Sequence, residues 1–127
     1  MPINFQLRDG LLELIYQGDI TTADMQGAAI KLSEYEASLE ITPDRITDLT
    51  DACMFNIDAD WLRRFAASRV QATLRNKVKS AIVAPKPDQY GLARMFQTSN
   101  ENPLIDIQLF RDAASAYRWL GHSARPA

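Results

Sequence analysis

Residues 45–74, RITDLTDACMFNIDADWLRRFAASRVQATL, decide the fold that we expect for this chain. Their pattern predicts a strand at 45–49, an acidic loop after it, and a long amphipathic helix capped by Asn56 or Asp58. In an open α/β sheet, ligands and partners usually meet the loops that leave the carboxyl ends of the strands. We therefore expect any function to lie around residues 48–60, where the sequence offers a Thr/Asp-rich turn without a recognisable catalytic set.

Two strands and a helix are predicted before this stretch. Apolar and polar residues alternate over 3–8, which is the period of a half-buried strand. Asp9-Gly10 favours a tight hairpin turn because both residues tolerate positive φ, and residues 11–17 supply the second strand. Thr21 or Thr22 can cap the helix that follows, since a hydroxyl there accepts a bond from an unpaired backbone N–H.

Strands and helices alternate through the second half of the chain. Residues 79–84 form a short apolar run that is typical of a central, buried parallel strand. Asp88 is the expected cap of the next helix, and residues 104–110 alternate as the last strand. Asp112 is expected to cap the closing helix, whose end Gly121 fits.

The predicted order of elements is ββαβαβαβα, which indicates an α/β fold. We expect a single domain over residues 1–127, built on a mixed sheet of about five strands covered by about four helices. An N-terminal hairpin opens this sheet, and the sequence shows no internal repeat or interdomain linker. Trp119 and Leu120 of the closing helix are expected to pack against the sheet.

Composition limits the classes of function. The net charge is −2, from 14 basic and 16 acidic residues, which is too balanced for a dedicated nucleic-acid or anionic-membrane binder. Cys53 is the only cysteine, so an intramolecular disulfide and a thiolate zinc cluster are excluded. No apolar run approaches the roughly 20 residues of a membrane span, and the N-terminus has no signal-peptide pattern. We expect a soluble, cytoplasmic protein without membrane insertion.

The closing segments resemble a known family. GLARMFQ at 91–97 and IDIQLFRDAASAYRWL at 105–120, after the hairpin and the alternating elements, are similar to the SpoIIAA-like domains of the STAS superfamily. That branch is named after bacterial anti-sigma-factor antagonists, and the resemblance covers roughly residues 5–121. Its most telling residues are Phe110-Arg111-Asp112, then Ala116 and Trp119-Leu120. The resemblance implies a STAS-like, non-enzymatic domain that binds a protein or a small apolar ligand.

The resemblance also draws attention to a phosphorylation site. In the anti-sigma-factor antagonists, a serine at the start of the helix after the third strand is phosphorylated to switch binding. Residues 56–60, NIDAD, contain no hydroxyl there, and Thr50 is a poor substitute upstream. Asp58 or Asp60 instead places a fixed negative charge at the helix N-terminus, where the helix dipole favours it. We expect no serine phosphoswitch.

The acidic residues of the central stretch are the first candidate site. Asp48, Asp51, Asp58 and Asp60 could in principle hold Mg²⁺ or Ca²⁺ through oxygen ligands. Their spacing lacks the regularity of a calcium loop, so caps and solvated side chains are the favoured interpretation, and no metal is expected. The same loop is a candidate surface for contact with a protein partner.

Two further groups complete the predicted binding surface. Met54, Phe55 and Trp61 could form an exposed apolar patch, or they could simply cover the edge of the sheet. A second group lies near the loop after the fourth strand and consists of Lys86, Tyr90 and Arg94. It could bind an anion or a carboxylate of a partner, although ordinary solvated side chains are the favoured interpretation.

The remaining candidates for chemistry are weak. His122 stands alone after the last helix, and Cys53 has no histidine nearby in sequence to act as its base, so a buried or inert thiol is expected. We therefore expect a non-catalytic regulatory or protein-interaction domain that binds a partner protein or itself, without a cofactor. The alternative is a carrier of a small apolar ligand, held between the sheet and the helix near Trp61. A small enzyme using Asp48 or Asp51 as a base is the least favoured.

Overall fold

The computed structural model describes residues 2–69 and 74–123. In chain order the elements are β1 (Ile3–Arg8), β2 (Leu11–Thr21), α1 (Thr22–Ser38), β3 (Asp44–Asn56), α2 (Ala59–Ser68), β4 (Val78–Val83), α3 (Pro87–Ser99), β5 (Ile105–Phe110) and α4 (Ala113–Leu120). This order confirms the predicted ββαβαβαβα pattern and the α/β fold class.

The five strands form one mixed sheet in the order β1-β2-β3-β4-β5. β1 and β2 pair antiparallel, and each later strand pairs parallel to its neighbour. Asp9 and Gly10 both have positive φ, 51° and 77°, as a tight hairpin turn of the primed type requires. β4 is buried between β3 and β5, so the predicted hairpin and the predicted buried parallel strand are both confirmed.

Strand alternation gives the sheet two apolar faces of different size. One face packs against α1, α2 and α3 and carries Leu14, Leu49 and Ile82. The other packs against α4 and carries Ile46 and Ala81. The first face therefore has three helices to cover it, and any cavity between sheet and helices has most room there.

The closing helix follows its local signals. The Asp112 carboxylate accepts a hydrogen bond from the Ser115 backbone N–H at 2.8 Å, and Gly121 ends the helix in a left-handed conformation. Leu120 is buried, whereas the Trp119 ring is partly exposed and packs on Phe110 with 5.7 Å between ring centres. Both residues pack on the sheet as predicted, but Trp119 only in part.

The acidic loop predicted after residue 49 is wrong, because β3 continues to Asn56. β2 is also longer than predicted and pairs with this extension, with Gln17 opposite Asp51 and Ile20 opposite Phe55. The register shifts on both sides of Gly18, whose φ of 70° lets the strand accommodate an irregularity. The additional pairing keeps the segment extended, so Asp48 and Asp51 lie on a strand.

The predicted cap is confirmed for α2 but not for α3. α2 begins after Asp58, one of its two expected caps, and the structure describes it from Ala59 to Ser68. Residues 70–73, over which we predicted that this helix continues, lie outside the described residues. Asp88 does not cap α3, because the helix begins at Pro87, whose fixed φ suits the first helical position. Lys86 therefore takes the cap position.

Candidate functional site

An apolar cavity of about 90 Å³ lies between the sheet and helices α1, α2 and α3. Its lining residues are Leu14, Tyr16, Met25, Ala28, Ala29, Leu32, Arg45, Thr47, Leu49, Phe55, Leu62, Phe65, Arg69, Ser80, Ile82, Leu92, Ala93 and Phe96. The cavity occupies the place where the sequence suggested that a small apolar ligand could be held.

The cavity follows from the side chains that face each other across the two layers. The sheet contributes branched side chains such as Leu14 and Ile82, which strand alternation turns toward the helices. The helices contribute small residues to the lining, Ala28 and Ala29 on α1 and Ala93 on α3. Because alanine leaves no side chain beyond Cβ, the helices cover the sheet without filling the space above it.

Two of the lining residues, Arg45 and Arg69, form a buried charged cluster with Glu36. Glu36, Arg45 and Arg69 are 8%, 4% and 6% exposed. Arg45 Nη1 donates to Glu36 Oε2 at 3.4 Å, and its Nε donates to Ser80 Oγ at 3.2 Å. Arg69 Nη2 donates to the same Glu36 oxygen. Two guanidinium groups therefore share a single carboxylate.

The pKa values of groups in and beside this cluster reflect burial and the sharing of one carboxylate by two arginines. Burial and, to a smaller extent, the nearby Arg69 lower the pKa of Arg45 to about 10, while Glu36 opposes the shift. Burial also raises the pKa of the Tyr16 hydroxyl, which donates to Met25 Sδ at 3.3 Å. Among the residues that the structure describes, the buried Nε of Arg69 has no hydrogen-bond partner, although the Arg69 backbone carbonyl accepts a bond from Asn102 Nδ2 at 2.7 Å.

Sequence analysis missed this cluster. Glu36 fell in a stretch with little signal, and arginines at a strand start and near a helix end are usually solvated. The available hint was alternation, because Arg45 precedes Thr47 and Leu49 on the same side of β3.

The predicted acidic site residues do not converge. The half-buried Asp48 accepts bonds from the Thr50 backbone N–H at 3.0 Å and from its hydroxyl at 2.5 Å. Asp51 is exposed, and Asp58 caps α2 by accepting from the backbone N–H groups of Asp60 and Trp61. Across residues 2–69 and 74–123, no group of three or more His, Cys, Asp or Glu side chains is placed to hold a metal ion.

The apolar candidates divide between the surface and the core. Met54 is 68% exposed, whereas its neighbour Phe55 packs against the core and lines the cavity. Trp61 stacks on Phe65 with 5.3 Å between ring centres. The three residues therefore do not form one exposed patch. Cys53, expected to be buried or inert, is exposed on the same strand as Met54.

The basic candidates make local contacts at the start of α3. Lys86 Nζ lies 3.4 Å from the carbonyl oxygen of Ala52, and Arg94 donates to Gln97 at 3.0 Å. The Tyr90 ring lies under the Arg111 guanidinium, 4.0 Å from it. The buried Gln89 makes the tighter link, donating to the carbonyls of Leu49 and Ala52 at 2.8 and 3.1 Å. These two hydrogen bonds of Gln89 hold α3 against the middle of β3.

The sheet order, the N-terminal hairpin and the two unequal helical layers define a SpoIIAA-like α/β domain with a partly open cavity between its layers. A solved structure with 16% sequence identity and a TM-score of 0.60 is similar over 93% of this chain and 91% of its own. It is an uncharacterised DUF3478-family protein with a SpoIIAA-like fold from Shewanella loihica PV-4. The similarity shows that this chain has the SpoIIAA-like fold, as its closing segments implied.

Two other comparisons give no match, since no protein-family model and no curated protein matches the sequence. Within the part of the chain that the structure describes, no helix is both long and apolar enough to cross a membrane.

Proposed function

We propose that this protein is a non-catalytic, STAS-like binding domain whose cavity takes up a small apolar ligand. The observation that carries this proposal is the cavity of about 90 Å³ between the sheet and three helices. Largely apolar pockets with a few convergent polar groups are the usual form of small-molecule sites. The cavity has that form, since its lining combines apolar walls with Arg45 and Arg69.

The energetic cost of the cavity supports the same proposal. Protein interiors are close-packed, and an unfilled cavity costs roughly 24 cal/mol per Å³. Because this cavity is partly open, its volume of about 90 Å³ corresponds to at most about 2 kcal/mol of stability, which larger side chains at Ala28, Ala29 or Ala93 could supply. Alanines at all three positions favour a space kept open for a ligand.

The non-catalytic part of the proposal rests on the placement of the acidic residues near β3. A general base needs a carboxylate in a cleft, within reach of a substrate. The Asp48 carboxylate accepts hydrogen bonds from Thr50 and Asp51 is exposed on a strand, while the cavity is lined by neither. Binding without chemistry accounts best for this arrangement.

Titration with 1-hexanol, a neutral apolar probe, tests the proposal. We expect saturable changes in amide NMR shifts concentrated at the cavity-lining residues. Ala93→Leu fills the cavity from α3 and should abolish these changes, whereas the control Ala114→Leu adds the same side chain at an exposed position of α4. Absence of saturable shifts in the wild-type protein, or equal binding by a folded Ala93→Leu variant, would refute the proposal.

A regulatory domain that binds a partner protein or itself is the second candidate. It is favoured by Met54, whose side chain is 68% exposed on β3 near the exposed Asp51. An apolar anchor with a charged rim is the arrangement that protein-binding patches use. Sedimentation velocity over a concentration series tests self-association: Met54→Ser should reduce any concentration-dependent dimer, and unchanged association would move the contact elsewhere.

A further inference from the structure

The buried charged cluster beside the cavity carries more positive than negative charge. Arg45 and Arg69 are both protonated near neutral pH, and among the described residues Glu36 is the carboxylate that both of them contact. Two positive charges and one negative charge leave a surplus of one. Burying a charge that lacks an opposite partner is strongly unfavourable, so this surplus calls for an anion.

Arg69 shows where that anion would bind. Its Nη2 already donates to Glu36, but its Nε is buried and has no hydrogen-bond partner within residues 2–69 and 74–123. Buried N–H groups are nearly always paired, so an orphaned one in a cavity wall marks a position that a ligand oxygen can occupy. A guanidinium donates best to a planar carboxylate, through parallel N–H···O bonds.

The apolar walls of the cavity determine the size and apolar character of the rest of the ligand. Its walls next to the arginines are apolar, among them Leu14, Leu62 and Phe96. The volume of about 90 Å³ is smaller than the roughly 150 Å³ of an engineered cavity that accepts benzene. Because the cavity is partly open, an acyl chain of about four to six carbon atoms can enter it without being fully enclosed, with some adjustment of the flexible Met25 side chain.

We infer that the cavity binds a small aliphatic monocarboxylate, with its acyl chain among the apolar walls and its carboxylate on Arg69 beside Arg45. This inference rests on the proposed function and adds the charge of the ligand to it. A neutral apolar molecule would leave the surplus charge unpaired. An inorganic dianion such as phosphate would leave the apolar walls without a partner.

Three probes separate these possibilities in the wild-type protein near neutral pH: hexanoate, 1-hexanol and inorganic phosphate. We expect hexanoate to bind at least about tenfold more tightly than 1-hexanol, because a hydrogen bond to a charged group is worth more than a neutral one. Equal or tighter binding of 1-hexanol would overturn this inference and leave the proposed function standing. Binding of phosphate in preference to hexanoate would overturn it too, and binding of none of the three would remove both.

Variants test whether the arginines cause the preference for hexanoate over 1-hexanol. Arg69→Met removes the surplus charge and leaves the Arg45–Glu36 pair, so it should reduce the hexanoate-to-hexanol affinity ratio to about one. The control Arg64→Met removes an exposed charge from the same helix and should keep the wild-type ratio. Glu36→Gln should raise the ratio, and it provides the decisive variant if Arg69→Met does not fold. A wild-type ratio in folded Arg69→Met, or a lowered ratio in Glu36→Gln, would refute the assignment.

Discussion

A buried hydrogen bond between α4 and β2 offers the sharpest test of how the second face of the sheet is held together. Glu13 is 0% exposed, and its Oε2 accepts a bond of 2.6 Å from the Tyr117 hydroxyl. Arg8 donates to the same carboxylate at 3.2 and 3.3 Å, and this pairing raises the pKa of Arg8. Tyr117→Phe removes one donor and leaves the ring and the Arg8 contacts in place.

The expected cost of Tyr117→Phe is about 2 kcal/mol of unfolding free energy. A hydrogen bond to a charged group contributes about 1.5–3 kcal/mol, and a carboxylate that loses a donor in the interior is not rehydrated. Urea unfolding followed by circular dichroism measures the change, which should shift the midpoint without changing the slope. The figure is moderate because Arg8 still pairs with Glu13 in the variant.

Tyr90→Phe is the matched control for this substitution. Tyr90 is half-buried, and its contact with Arg111 uses the ring face, which phenylalanine retains. Its unfolding free energy should stay within about 0.5 kcal/mol of wild type. If Tyr117→Phe falls in that same range, the hydroxyl does not stabilise the buried carboxylate, and the account of this face is wrong.

Three further predictions follow from burial and capping. Phe55→Ser should cost at least about 2 kcal/mol in urea unfolding because Phe55 packs in the core, whereas Met54→Ser should stay within about 0.5 kcal/mol; equal effects would contradict their placement. Leu120→Ala should reduce the free energy of unfolding by about 2–5 kcal/mol, and Trp119→Ala should reduce it by less than the 3–5 kcal/mol of a fully buried ring. A larger loss for Trp119→Ala than for Leu120→Ala would contradict this prediction. The hydrogen bond from the Ser115 backbone N–H lowers the pKa of the Asp112 carboxyl, so its stabilisation is present above the unfolded pKa and is lost as pH falls through the folded one. Asp112→Asn should weaken the acid dependence of unfolding, and an NMR midpoint for Asp112 at or above that of an unfolded aspartate would contradict this.

The features that sequence analysis predicted well are specified within a few residues. Asp9-Gly10 forms its hairpin turn because both residues adopt positive φ, and Asp112 and Gly121 bound α4 through contacts inside one helix. The extension of β3 to Asn56 depends instead on pairing with an irregular β2, which a one-dimensional pattern does not contain. Aspartates that favour turns in isolation are held extended by that pairing.

The charged cluster was beyond prediction for a related reason. Glu36, Arg45 and Arg69 come from a helix, a strand and a helix end that only the fold brings together. Nothing in a single sequence distinguishes a buried arginine from a solvated one, since the difference lies in its surroundings. The predicted candidates Lys86 and Arg94 are exposed, whereas the guanidinium groups that line the cavity were not among the candidates.

Helix α2 connects the surface at Asp58 to the cavity. It begins after Asp58, in the region where the resemblance to the anti-sigma-factor antagonists points to a phosphorylated serine in those proteins, and it is followed at once by Arg69 in the cavity wall. Between these ends Leu62 and Phe65 also line the cavity. An occupant would therefore contact α2 along most of its length, while the fixed charge of Asp58 already satisfies its N-terminus. If this domain regulates a partner, the ligand in the cavity is better placed than a phosphate at the helix start to change how α2 is presented.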